Sequence, residues 1–118
     1  MGDWIAVLDV ADLPPGTVRA VDAGGRRLAV CNDRGRFYAI AHECPHAGGP
    51  LGEGDLANGC LICPVHHWPF DLKTGLSDPR LPHVRLTFFA CRVADGRLYV
   101  DPAKPIPPET IVDPRSDH

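Results

Sequence analysis

The chain has 118 residues, 44% hydrophobic and 23% charged, with a formal net charge of −3. That size fits one domain with a modest core, and the acidic balance without any Lys/Arg cluster argues against a nucleic-acid surface. No apolar run approaches the roughly 18 residues a membrane span needs, and the opening MGDWIAVLDVADLPPG has an acid at position 3 and no basic leader, so neither a membrane contact nor a secretion signal is expected.

Taken in order, the elements read as β-strands. WIAVLDV (4–10) is a strand rich in branched residues. TVRAVDA (17–23) alternates, with Val18 and Ala20 competing against Val21 and Ala23 for the inner face. AGG (23–25) is a turn, RLAVCN (27–32) the returning strand, DRG (33–35) a second turn and RFYAIA (36–41) the next strand. LTFFACRV (86–93), ADG (94–96) and RLYVD (97–101) repeat the pattern. Glycine at these connections accepts the positive φ that tight hairpins demand. No stretch sustains a helical period with caps, so no helix is expected. The fold class is therefore all-β.

Two regions interrupt this meander. PAKPIPPETIVDPRSDH (102–118) holds five prolines and cannot be a central strand, because proline donates no backbone hydrogen bond. The expected domain is residues 1–101, with 102–118 a proline-rich tail. Residues 42–83 hold five of the six histidines and are dense in Gly and Pro.

Five cysteines, at 31, 44, 60, 63 and 91, are an odd number. Without a signal peptide the thiols are expected to be reduced and the protein cytoplasmic, which disfavours a disulfide scaffold. Cys31 and Cys91 read as small core residues, and so does Cys60, although it forms a Cys-x-x-Cys with Cys63. The remaining two pair with histidines. CPH at 44–46 and CPVH at 63–66 each offer one thiolate and one imidazole, with sixteen residues between His46 and Cys63. GDLANGCLI between them reads as a strand that spaces the two loops. The candidate ligands are Cys44, His46, Cys63 and His66. A Cys2His2 zinc site is one use of such a set, but one residue between Cys and His is unusual for zinc. A cysteine nucleophile would not need two equivalent Cys-His units. A [2Fe–2S] cluster with two thiolates on one iron and two imidazoles on the other uses all four.

At this point the segment from His42 to Gly75 resembles the Rieske [2Fe–2S] family, with its C-x-H, a gap, then C-x-x-H. CPHAGGPLGEG is similar to that family's first loop and CPVHHWPFDLKTG to its second, and the resemblance extends over about residues 4–101. It implies stacked antiparallel sheets, with a cluster-binding subdomain (about 42–83) of two loops inserted between hairpins. Cys44 and Cys63 would hold the inner iron. His46 and His66 would hold the outer one through Nδ1, leaving an imidazole edge at the surface as the exit for an electron. Two ferric ions, two sulfides and two thiolates sum to zero charge, so one electron brings the cluster to a single negative charge.

The resemblance also implies differences within the family. Respiratory members tie the loops with a disulfide, and Gly49 and Val65 stand at the matching positions, so no bridge forms. Those members present serine and tyrosine hydroxyls to the cluster sulfurs, whereas Trp68 and Phe70 stand there. Fewer hydrogen bonds to sulfur place the expected potential at the low end of the Rieske range, about −150 mV. His67 reads as a solvent-facing turn residue, His42 as a neighbour of the first loop but not a ligand, and His83 and His118 as surface. The prolines of LSDPRLPHV (76–84) suggest either a third loop over the cluster or a linker. The implied function is single-electron transfer without catalysis. The expected role is a ferredoxin between a flavin reductase and a terminal oxygenase, or the small subunit of an assimilatory nitrite reductase beside its large subunit. The chain is too short to add a mononuclear-iron domain.

Overall fold

The computed structural model describes residues 4–46 and 48–107. It contains nine strands: β1 (Ile5–Asp9), β2 (Thr17–Ala23), β3 (Arg26–Asp33), β4 (Arg36–Ala41), β5 (Asp55–Ala57), β6 (Cys60–Ile62), β7 (Pro69–Asp71), β8 (Phe88–Ala94) and β9 (Arg97–Ile106). Two single 3-10 turns, Val10–Asp12 and Leu51–Glu53, are the helical elements among the described residues. None of these is long and apolar enough to cross a membrane.

The strands form a six-stranded antiparallel sheet in the order β1-β9-β8-β4-β3-β2 and a three-stranded one in the order β5-β6-β7. Four two-residue turns set their registers: Gly24-Gly25, Arg34-Gly35, Asn58-Gly59 and Asp95-Gly96, each with positive φ at both central positions. This is the I′ turn, whose twist matches that of the flanking strands. Three of these turns follow from the sequence. The fourth corrects it, because GDLANGCLI is not one strand. Asn58-Gly59 folds it into a hairpin, with Ala57 opposite Cys60.

The large sheet is covered on both faces, which explains why β3 is buried without a break from Leu28 to Asn32. One face carries Ala29, Cys31, Tyr38, Ile40 and Phe88 and packs on the small sheet through Leu61, Phe70 and Leu72. The other carries Leu28, Val30, Phe37, Ala39 and Phe89 and packs on Leu98 and Val100. The competition within β2 is resolved by using both sides. Val18 packs on the first cluster and Val21 on the second. Asn32 is a buried polar residue whose amide is used twice: Nδ2 donates to Leu13 O at 2.8 Å and Oδ1 accepts from Gly35 N–H at 2.7 Å.

The expected end of the last strand at residue 101 is also corrected. Among the described residues β1 pairs with β9 as far as Val100, while β9 runs on against β8 to place Ile106 opposite Phe88. Pro102 falls where the β8–β9 register shifts between Phe89 and Ala90, an irregularity of the kind in which a strand tolerates proline. The rest of the expected tail, with His118, lies outside the described residues.

Candidate metal centre

The four candidate ligands come from two loops carried by the small sheet. The first connects β4 to β5 and the second turns β6 back into β7. Their backbones follow one hydrogen-bonding frame. Cys44 N–H donates to Gly49 O (2.9 Å), and Gly48 N–H donates back to Cys44 O (2.7 Å). Cys63 N–H donates to Trp68 O (3.1 Å), and His67 N–H donates back to Cys63 O (2.8 Å). Both frames close on a residue with positive φ, Gly48 at 71° and His67 at 61°. His67 is thus the counterpart of Gly48. Histidine is among the non-glycine residues that tolerate this region, and the exposed ring agrees with a turn residue facing solvent.

Local contacts bring the loops together. The neck of the first is closed by Leu51 N–H to His42 O (2.8 Å) and by the Glu43–Pro50 bridge. His42 Nδ1 accepts from Gly52 N–H at 3.3 Å, so this ring fastens the loop. Gly52 lies against Ala20 of β2, where an added Cβ would meet the Ala20 Cβ at 2.6 Å. At the inner contact between the loops, a Cβ on Gly49 would lie 3.1 Å from Cys63 Sγ and 3.3 Å from Val65 Cβ. The last distance is close to the Cβ–Cβ spacing of disulfides, so Gly49 and Val65 do face each other where a bridge would stand.

The donors separate by type. Cys44 is 3% exposed and Cys63 is fully buried, both in the apolar cluster that contains Leu61 and Phe70. His46 and His66 are exposed, with ring centroids 5.1 Å apart and planes at 69°. Trp68, expected only as a missing hydroxyl, stacks on His46 with centroids 3.6 Å apart and planes at 14°. Nothing in the sequence spacing signals that stack. Among the described residues no three His, Cys, Asp or Glu side chains converge to hold a single ion, so the donor set does not fit the zinc alternative. Two buried cysteine sulfurs and two surface imidazoles, with a glycine in place of a side chain beside one sulfur, fit a two-iron group with unlike ends.

The other candidates are placed elsewhere. Cys60 is half-buried opposite Asp71, and its thiol is raised by burial first and by Asp71 and Asp33 next. Burial likewise pushes up the Cys31 thiol and takes Cys91 to about 12. None of the five cysteines is joined in a disulfide. His83 is exposed. The 76–84 segment is closed at its base by a Leu76–Arg85 bridge. Its residues Ser77–Leu81 border a groove of about 370 Å³ with Trp68 and Pro69, so it lies beside the second loop.

A model of the Rieske [2Fe-2S] domain matches residues 3–86.

The chain belongs to the Rieske [2Fe-2S] family.

Its cofactor class is accordingly the Rieske-type cluster. Among Rieske relatives, Ferredoxin CarAc of Metapseudomonas resinovorans is 35% identical over 98 residues, covering 82% of this chain and 92% of its own. Human Apoptosis-inducing factor 3 is 37% identical over 84% of this chain, but the chain spans only 16% of that protein's length. A chain in the solved complex of reduced oxygenase and oxidized ferredoxin in carbazole 1,9a-dioxygenase is 34% identical, with TM-score 0.72 over 83% of this chain and 92% of that one. A Mycobacterium tuberculosis structure described as an NADH-dependent nitrite reductase small subunit shares the fold, at 24% identity and TM-score 0.73 over 85% of this chain.

Proposed function

We propose that this chain is a one-electron carrier of the soluble Rieske ferredoxin type, in which Cys44 and Cys63 hold the inner iron and His46 and His66 the outer one. The observation that carries this is the separation of two buried thiols from two surface imidazoles on twinned loops. When bound, the cluster supplies a site that accepts and returns one electron. The cysteines hold it in an apolar pocket away from water. The exposed imidazole edges give an electron a short path to a partner. No Asp, Glu, Lys or Arg lies between 44 and 52 or between 63 and 70, so the two loops themselves bring no carboxylate, ammonium or guanidinium group to those edges.

The similarity to CarAc and to the carbazole dioxygenase complex supports a ferredoxin that delivers electrons to a terminal oxygenase, and a flavin reductase is the electron source in this reading. Five cysteines outside any disulfide suit a reducing, cytoplasmic setting. Trp68 and the fully buried Phe70 bring no hydroxyl to the sulfurs, which supports a potential near the low end, about −150 mV.

Visible and EPR spectra before and after dithionite test the cluster. A Rieske signal lost in Cys44→Ser, His46→Ala and His66→Ala but kept in His67→Ala is expected. A colourless zinc protein would overturn the reading, and so would loss of the signal in His67→Ala alone. Reduction by NADH through a flavin reductase, followed by transfer to the carbazole oxygenase component, tests the ferredoxin role. Transfer instead to a sirohaem nitrite reductase large subunit would favour the nitrite system.

A further inference from the structure

We propose that Trp68 is a positioning residue for His46, clamping the imidazole of one loop from the other loop. The inference rests on the reading of His46 as a ligand.

The twinned frames make the two histidines unequal. His46 follows its cysteine by two residues and His66 by three, so the rings leave the same backbone frame at different points. His66 touches His46 only edge-on, at 5.1 Å and 69°. His46 also has an aromatic ring lying flat against it, at 3.6 Å and 14°. That contact resists rotation of the imidazole about its Cβ–Cγ bond, a torsion that is otherwise broad.

The clamp is itself anchored. Trp68 packs on the apolar cluster that holds Cys44, Cys63 and Phe70. Its carbonyl accepts the Cys63 N–H at 3.1 Å. The indole therefore transmits the rigidity of the second loop's core to a ligand on the exposed tip of the first. Gly49 carries no side chain that could tie the loops covalently, which leaves this stack as a cross-loop contact at the donor set. A ligand held in its binding orientation before the metal arrives binds with less ordering cost, as supporting side chains do in other metal sites.

The test uses the cluster-loaded protein with Trp68→Phe, which keeps a flat ring, and Trp68→Leu, which keeps apolar bulk. Three readouts are taken: loss of visible absorbance in excess EDTA, the nitrogen couplings of the reduced protein by pulsed EPR, and thermal unfolding. Trp68→Leu is expected to release the cluster about tenfold faster, and Trp68→Phe within about twofold of the parent rate. In Trp68→Leu one of the two histidine nitrogen couplings shifts while the other stays. Equal rates in all three proteins would overturn the proposal. So would a Trp68→Phe as leaky as Trp68→Leu, or two couplings that shift together. A parent protein without the Rieske signal would instead end the ligand reading. The stack is then judged by NMR: the indole's ring current displaces the His46 ring protons in the parent and not in Trp68→Leu, and an undisplaced parent spectrum refutes the contact.

Discussion

Replacing Gly49 by alanine tests how closely the two loops meet. Gly49 is buried, and the added Cβ would lie 2.5 Å from Val65 Cγ2 and 3.1 Å from Cys63 Sγ. Val65 is 47% exposed and can turn its methyl outward, whereas the Cys63 sulfur is fully buried and has nowhere to go. Overpacking of this kind costs about 1–3 kcal/mol. At about 2 kcal/mol and roughly 4 °C per kcal/mol, the melting temperature falls by about 8 °C. Val65→Ala alone removes two half-exposed methyls and costs about 0.8 kcal/mol. In the double variant the Cγ2 clash is gone, so the combined loss is smaller than the sum by about 1 kcal/mol. The approach to Cys63 Sγ persists, so cluster content per chain stays below that of the parent. The assay is thermal unfolding of all four proteins by circular dichroism, with visible absorbance per chain measured on each. A strictly additive double variant, or a Gly49→Ala protein with parental melting temperature, would refute the close contact.

Three further outcomes are expected. His67→Gly relieves the left-handed backbone and stabilises by up to about 1 kcal/mol, while His67→Val costs about 1–2 kcal/mol; urea unfolding reads both, and a destabilised His67→Gly would count against the positive φ at that position. Asn32→Ala strands the buried Leu13 O, leaves the part-buried Gly35 N–H without its acceptor and costs about 2 kcal/mol, measured by calorimetry, with an unchanged enthalpy and melting temperature as the contrary result. Burial raises the Cys91 thiol from its ordinary 9.0 to about 12, so the unfolded chain loses its proton first as pH rises. Stability is retained in full below 9.0 and falls toward 12 by about 1.4 kcal/mol per pH unit for this thiol. Urea titrations across that window should show a shallower decline in Cys91→Ala, and equal slopes would contradict the buried thiol.

Much of the candidate site is written locally. Cys44, His46, Cys63 and His66 stand out as candidates by residue type and spacing, because a two-iron cluster needs donors in pairs and short loops can deliver them. The Gly-Gly, Arg-Gly and Asp-Gly turns are legible for the same reason, since positive φ is a property of two residues. Asn58-Gly59 carries that signal too, and its positive φ at both residues makes 54–62 a hairpin and not a single strand.

What the sequence determined by itself was thus the candidate donors, the all-β class and most of the turns. Each depends on residues within a few positions of one another. Tertiary structure decided the rest. Whether β2 turns Val18 or Val21 inward had no local answer, because a sheet covered on both faces buries both. Pro102 could enter β9 because the pairing with β8 shifts register between Phe89 and Ala90 and leaves room for a residue without a ladder hydrogen bond. His46 meets Trp68 because two loops far apart in the chain share one backbone frame and rest on one apolar cluster. A contact of that kind lies between loops, and no spacing along either one encodes it.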